Sequence, residues 1–171
     1  MEASYIHKRS FIAKLYAKED LKYAQERPIA ISRGTWLMDM DGWLIQAGNG
    51  VQLGPSRFHF KCRGVTSSRV HYDISCADEG PHAGAKVGVS QNGYLGVYQK
   101  SSVTDLWKAE ELTPWVEGED LHFVMRDHRG YRVGVTGVGV PSSIDSGQYV
   151  PFLSMNGDQI LHFRAEIEQV L

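Results

Sequence analysis

The larger, C-terminal part of the chain alternates apolar and polar residues in short runs, a pattern that predicts β-strands. The clearest run, Arg57–Arg63, alternates over seven residues, as a strand with one buried face does. Two further runs, Lys86–Val89 and Tyr94–Tyr98, flank the Asn92-Gly93 pair, and Asn-Gly is the strongest short hairpin signal. All 18 glycines lie after Pro28, where turns must connect the strands.

Similar runs occupy most of the chain from residue 28 to its end. They are Trp36–Met40 and Gly42–Ile45, joined by Asp41-Gly42, and then Arg69–Ile74, Leu121–Met125, Tyr131–Val135, Phe152–Met155 and Ile160–Ala165. About ten strands separated by turn signals predict an all-β protein, either an antiparallel sandwich or a barrel. No internal repeat is visible in the sequence.

Residues 1–27 have a different character, because Lys, Glu, Ala and Leu dominate and glycine is absent. Their apolar residues recur at helical spacing. These are Phe11, Ile12, Leu15 and Tyr16. Ser10 is a suitable N-cap and Pro28 a suitable stop, since the residue before a proline disfavours the helical conformation. We therefore predict a helical N-terminal extension over residues 1–27, with its helix from Ser10 to Gln25, and a β domain over residues 28–171.

Composition narrows the class of protein. The chain has 171 residues, 42% of them hydrophobic, which is enough for one domain with its own core. Its 18 basic and 20 acidic residues give a net charge of −2, which argues against a nucleic-acid-binding protein with a basic surface. No run of about 18 or more apolar residues occurs, so no membrane span is predicted.

Cysteine usage and the N-terminal sequence indicate a compartment. Two cysteines, Cys62 and Cys76, are too few for a disulfide framework and are expected to be reduced thiols. The first residues mix charges through every turn and lack the apolar segment of a signal peptide. We therefore predict a cytoplasmic protein.

Motifs for catalysis and metal binding are missing from the sequence, which contains no G-x-S-x-G, H-E-x-x-H, Walker loop, G-x-G-x-x-G or C-x-x-C. The Asp39-x-Asp41-Gly42 segment begins like a calcium loop but lacks the later glutamate. His59 and Cys62 differ in parity along one strand, so they cannot share a zinc ion. We predict no cofactor, no metal and no enzymatic activity, with a small β-barrel enzyme as the third hypothesis.

Several segments in the second half resemble the galectin family. Phe58–Arg63 resembles the family's His-x-Asn-x-Arg strand, and Trp107–Leu112 resembles its Trp-Gly-x-Glu-x-Arg motif. Thr113–Met125 resembles the segment in which proline and an aromatic residue precede a glycine turn and a strand. The ending Pro151–Ile167 is similar to the family's last strands, where a Gly-Asp pair leads into the final strand. The resemblance covers about residues 57–167.

The resemblance implies a jelly-roll fold, a two-sheet antiparallel β-sandwich that binds β-galactosides without a metal. It also implies six carbohydrate-binding positions: His59, Lys61, Arg63, Asp73, Trp107 and Glu110. Trp107 would stack on the apolar face of galactose, and His59 and Arg63 would hydrogen-bond its axial hydroxyl. Lys61 stands at one asparagine position of the family and Asp73 near a second, and Glu110 matches its buried glutamate. His59, Lys61 and Arg63 alternate along one strand and so share a face, as such a site needs.

Some positions depart from the family pattern. Lys61 replaces an asparagine and cannot accept a hydrogen bond, and Leu112 replaces an arginine that would donate several. A structural role stays open for each residue: Trp107 as a core residue, His59 as a solvent-facing strand position, and Arg63 as a surface ion pair. Family members can also act outside the cell without a signal peptide.

Two function hypotheses follow. The first is a lectin domain of altered or weakened specificity whose partner is a glycan or glycoprotein. The second is a β-sandwich interaction or structural module that has lost sugar binding. In that case the predicted N-terminal helix would dock on a protein partner or a second copy through an exposed Phe11 and Leu15 stripe.

Overall fold

The structure of the protein is a computed structural model. It describes residues 9–32, 41–47, 53–66, 68–99, 105–141, 149–155, 157 and 159–171. The described residues form twelve strands and no helix. The predicted strand Trp36–Met40 lies outside the described residues, and the other predicted runs all contribute to strands or to the bridges beside them.

The twelve strands of the described residues pair only in antiparallel fashion. They are β1 (Phe11–Glu19), β2 (Arg27–Ile31), β3 (Leu44–Gln46), β4 (Arg57–Thr66), β5 (Arg69–Cys76), β6 (Lys86–Val89), β7 (Leu95–Tyr98), β8 (Trp107–Glu111), β9 (Leu121–Arg126), β10 (Gly134–Pro141), β11 (Tyr149–Ser154) and β12 (Gln159–Val170). The prediction of an all-β protein is confirmed.

The strand pairings form a closed antiparallel β-barrel. Ten strands pair in a ring in the order β1, β2, β3, β11, β10, β12, β9, β8, β5 and β4, and β4 pairs with β1 again. The β1–β12 ladder crosses this ring and closes an inner barrel of six strands: β1, β4, β5, β8, β9 and β12. The remaining strands form three hairpins, β2–β3, β6–β7 and β10–β11.

The chain repeats one four-strand unit three times, as β1–β4, β5–β8 and β9–β12. In each unit the first and fourth strands belong to the inner barrel, and the second and third form a hairpin. This arrangement is the topology of a β-trefoil. The repeat is not evident in the sequence, because the three units share few residues.

One shared feature is an aromatic residue in, or directly before, the third strand of each unit. These residues, Trp43, Tyr94 and Phe152, pack against one another with ring centroids 5.4–6.3 Å apart. Each of the three forms an antiparallel backbone pair with a residue of the next unit. That partner lies two positions after the aromatic residue of its own unit. The bridges are Trp43 to Gly96, Tyr94 to Ser154 and Phe152 to Ile45. A buried leucine follows each aromatic residue, so the three hairpins meet around a common axis.

The barrel interior is filled mainly by aromatic side chains. Phe11 stacks on Phe60 with centroids 4.8 Å apart, and Phe123 stacks on Phe163 at 5.5 Å. The ring of Tyr72 meets both Phe11 and Phe60 edge to face. Each such pair contributes about 0.5–1.5 kcal/mol beyond the burial of its apolar surface.

The predicted two-sheet sandwich is wrong, because the strands close into a barrel. Alternation in β4 and β5 is the same in both architectures, since each strand needs only one buried face. The pairing of β1 with β12, from Phe11 with Val170 to Glu19 with Leu161, joins the two ends of the chain and closes the barrel. A contact between residues so far apart in sequence leaves no signal in a local pattern.

The predicted N-terminal helix is also wrong, because residues 11–19 form a barrel strand. Phe11, Ala13, Leu15 and Ala17 point into the core and are at most 1% exposed. This alternation is masked in the sequence, since Ile12 and Tyr16 on the outer face are also apolar and produce helical spacing. Pairing with β12 overrides the helical propensity. The predicted docking stripe of Phe11 and Leu15 is therefore inside the protein.

Candidate functional site

The outer wall of the barrel, defined here as the solvent-facing side of β4, β5 and β8, carries most of the predicted carbohydrate-binding residues. His59 lies on β4 between the buried Phe58 and Phe60, and Lys61 follows Phe60 on the same outward face, as the alternation predicted. Lys61 stands opposite Asp73 of β5.

Two carboxylates of the outer wall, Asp73 and Glu110, pair with basic side chains of the same or neighbouring strands. Asp73 accepts a hydrogen bond from Lys86 Nζ at 3.0 Å. Glu110 of β8 accepts one from Arg126 Nη2 at 2.9 Å and lies 3.6 Å from Arg69 Nε. The hydrogen bond from Arg126 is the main cause that holds the pKa of the Glu110 carboxyl below its ordinary value. These carboxylates already have partners within the protein.

Arg63 lies at an irregularity in β4. The register between β4 and β5 shifts between Cys62 and Gly64, which is where Arg63 sits, and its side chain is exposed. A bulge of this kind breaks strict alternation. The predicted shared face of His59, Lys61 and Arg63 is therefore regular only as far as Lys61.

Trp107 faces the inside of the barrel, whereas the other predicted residues lie on its outer side. Its indole points inward and is 1% exposed, and its Nε1 donates a hydrogen bond to the Val87 carbonyl at 3.0 Å. Because Glu110 lies an odd number of residues away on the same strand, its carboxylate points outward. The structure brings together His59, Lys61 and Asp73, and it leaves the Trp107 indole in the core.

Another tryptophan is available to solvent, in the loop between β8 and β9. Trp115 is half-buried beside the end of β12, and its Nε1 donates to the Glu119 carbonyl at 2.8 Å. The loop turns back over residues 116–119, where the Glu119 amide donates to the Val116 carbonyl. Gly118 has a φ of +91°, a left-handed conformation that a side chain would disfavour. This turn fixes the orientation of the indole.

A small cavity of about 120 Å³ lies against this indole, and we call it the Trp115 groove. It runs between the β8–β9 loop and the last residues of β12. Its lining consists of Trp115, Gly118, Glu119, Asp120 and residues 167–170 of β12. The lining residues include one aromatic residue, three acidic residues and Gln169.

Arg164 of β12 fixes one carboxylate of the groove. Its Nη1 donates to Asp120 Oδ2 at 2.7 Å, and its Nη2 donates to Glu26 Oε1 at 2.7 Å. Its guanidinium also lies 4.2 Å from the centroid of the Tyr16 ring. The hydrogen bond with Glu26 is the main cause that raises the pKa of Arg164. One arginine thus ties the β8–β9 loop to β1 and to the β1–β2 connection.

Glu168 is the carboxylate on the β12 side of the groove. It accepts a hydrogen bond from Arg57 Nε at 2.6 Å and lies 3.8 Å from Lys14 Nζ. The hydrogen bond from Arg57 is the main cause that lowers the pKa of Glu168. Glu168 therefore stays ionised at neutral pH and can accept hydrogen bonds but not donate a proton.

A second and larger cavity, of about 380 Å³, lies between β2, the β3–β4 connection and the β5–β6 turn. It is lined by Ala30, Ile31, residues 53–56, Asp78 and Glu79. Its described lining contains no aromatic ring. One Asp78 oxygen already accepts the Arg57 amide at 3.1 Å.

The Trp115 groove combines two features that favour sugars. An indole face packs against the C–H groups of a pyranose, and carboxylate and amide oxygens accept hydrogen bonds from its hydroxyls. Trp115 was not among the predicted site residues. The sequence does hold a signal for it, since Trp115 follows Pro114 within an acidic, glycine-containing segment and so falls outside any alternating run.

Comparison of the chain with protein-family models, with curated proteins and with solved structures finds no match. The galectin resemblance therefore stays a prediction. Within the described part of the chain, no group of three or more His, Cys, Asp and Glu residues is placed to hold a metal ion. The described residues also include no helix long and apolar enough to cross a membrane.

Proposed function

We propose that the protein is a non-enzymatic carbohydrate-binding domain and that the Trp115 groove holds the sugar. A half-buried indole, held at its N–H and set beside three carboxylates, is the observation that carries the proposal. Among the described residues that line the two cavities, Trp115 is the only aromatic one. We expect a pyranose stacked on this ring to lie near Asp120 and Glu168, which line the same cavity.

Preorganisation of the groove favours binding. Trp115 is fixed by its bond to the Glu119 carbonyl, and Asp120 is fixed by Arg164. Side chains that are already ordered lose little entropy when a ligand binds, and each would otherwise cost about 0.5–1.5 kcal/mol.

The dimensions of the groove imply weak binding of a single sugar. A cavity of about 120 Å³ is well below the roughly 300 Å³ at which small-molecule sites usually begin. Only part of one pyranose ring is then enclosed, and the rest stays in solvent. We expect a dissociation constant of about 1 mM for a monosaccharide, equivalent to about −4 kcal/mol.

The outer wall supports sugar binding less well than the groove does. Its carboxylates are bound to lysine and arginine side chains of neighbouring strands, and the nearest predicted indole, Trp107, is in the core. A sugar at the wall would therefore lack an aromatic face. The proposal therefore places the ligand in the Trp115 groove, between the β8–β9 loop and the end of β12.

Binding of methyl glycosides by isothermal titration calorimetry tests the proposal on three proteins: wild type, Trp115→Ala and His59→Ala. We expect the wild type and His59→Ala to bind one sugar class equally, and Trp115→Ala to lose at least tenfold in affinity. His59→Ala is the matched control, since it removes a ring from the outer wall. Circular dichroism verifies that all three proteins are folded.

Two results would contradict this assignment. Loss of binding in His59→Ala with full binding in Trp115→Ala would move the sugar to the outer wall. A folded wild type that binds no member of a broad glycan panel would overturn carbohydrate binding altogether. The interaction module would then be the better hypothesis.

A further inference from the structure

The Trp115 groove carries negative charge on both of its sides. Glu119 and Asp120 lie on the loop side, and Glu168 lies on the β12 side. No lysine or arginine is among its described lining residues. The nearby cations, Arg164 and Arg57, are bound to carboxylates and do not line the groove.

The three carboxylates are not equally compensated. Asp120 is paired with Arg164, and Glu168 is paired with Arg57. The side chain of Glu119 is exposed, and no ion pair or hydrogen bond of its carboxylate is found within the described part of the chain. Of the three acidic lining residues, Glu119 is therefore the one whose carboxylate has no cation paired with it among the described residues.

We infer that the groove selects neutral and amino sugars and rejects sugars that carry a carboxylate or sulfate group, an inference that rests on the proposed carbohydrate binding. An anionic substituent beside Glu119 is repelled, and an ammonium group there is attracted. At the surface of a protein, one such contact at about 4 Å changes affinity by roughly fivefold or more at low salt. Steric fit alone gives no such dependence on charge.

A matched set of pyranosides separates charge from shape. The methyl glycosides of galactose, galactosamine and galacturonic acid share one ring and differ in charge, and the corresponding glucose set provides a second ring. Calorimetry at low salt, below the pKa of the sugar amines, should rank the amino sugar first, the neutral sugar second and the uronate last. The uronate should bind roughly fivefold to tenfold more weakly than the neutral sugar. High salt should reduce this difference, because exposed charges are screened.

A charge-neutral variant identifies the residue responsible. Glu119→Gln should raise uronate affinity by about threefold and leave neutral-sugar affinity unchanged. The bond from Trp115 uses the backbone carbonyl of Glu119, so the substitution preserves it. Glu117→Gln is the matched control, since Glu117 is exposed on the same loop but does not line the groove.

The outcomes distinguish this inference from the proposed function. Equal affinity for neutral sugar and uronate, or tighter binding of the uronate, overturns the charge selection and leaves carbohydrate binding intact. An identical response of Glu117→Gln and Glu119→Gln overturns the assignment to Glu119. If no pyranoside of either set binds, the proposed function fails and the inference fails with it.

Discussion

The outer wall and the Trp115 groove contain similar residues in different arrangements. On the wall, alternation sends Trp107 into the core and Glu110 to solvent, so an aromatic ring and a carboxylate of one strand lie on opposite sides of the sheet. In the groove, Trp115 and Asp120 belong to a loop, where no alternation applies, and both line the same cavity. A site that needs an aromatic face and polar groups together is therefore easier to build from a loop beside a strand end than from one strand.

Replacement of Trp107 should give the largest effect and tests whether this tryptophan is structural. Trp107→Ala removes a ring that is 1% exposed and leaves the Val87 carbonyl without its donor. We expect a loss of about 3–5 kcal/mol in the free energy of unfolding, measured by urea denaturation. Trp115→Ala is the comparison and should lose much less stability, because its ring is half-buried. Equal losses of stability in the two variants would show that Trp115 is as much a structural residue as Trp107.

Replacement of Arg164 should have a smaller effect and affect both stability and binding. Arg164→Gln breaks the ion pairs with Glu26 and Asp120 and the stacking on Tyr16, and we expect a loss of about 1–3 kcal/mol in stability. Sugar affinity should fall by several fold, because Asp120 is no longer held beside the groove. Arg164→Lys keeps the positive charge but lacks the planar guanidinium that donates to both Asp120 and Glu26. Its stability and sugar affinity should lie between those of the wild type and Arg164→Gln. Unchanged affinity in Arg164→Gln would show that the loop needs no such support.

The pH dependence of stability should show the smallest effect and tests the ion pairs of the outer wall. The pKa of Glu110 is lower in the folded protein than its ordinary value of 4.5, so the unfolded chain takes up this proton first as the pH falls. The contribution of Glu110 is therefore fully present above about pH 5 and is lost as the pH falls through the folded pKa. Because the pair is partly exposed, we expect less than about 1 kcal/mol.

Urea denaturation of wild type and Glu110→Gln between neutral and acid pH measures this contribution. Stability of the variant should decline less steeply below pH 5 than that of the wild type. Glu117→Gln provides the control on an exposed loop and should decline like the wild type. A parallel decline of wild type and Glu110→Gln would mean that the Arg126 pair adds nothing in solution.

Part of the candidate site could be predicted from sequence. The outward positions of His59 and Lys61 follow from their alternation with the buried Phe58 and Phe60. Trp107 could not be assigned in this way, because a tryptophan at the start of an alternating run is equally consistent with a core residue and with a ligand-binding residue. Trp115 could be proposed as a site residue only because the fold places it beside β12, a strand more than forty residues later in the chain.

The sequence by itself determined most of the strands from β3 onward and several of the turns between them. The Asn92-Gly93 turn, with a φ of +87° at Gly93, and the buried alternation of β5 follow from local chemistry. Only the tertiary structure decided that residues 11–19 form a strand, that β1 pairs with β12, and that the strands close into a three-unit barrel. The physical reason is that alternation reports which face of a strand is buried, whereas the choice of partner depends on residues far away in the chain.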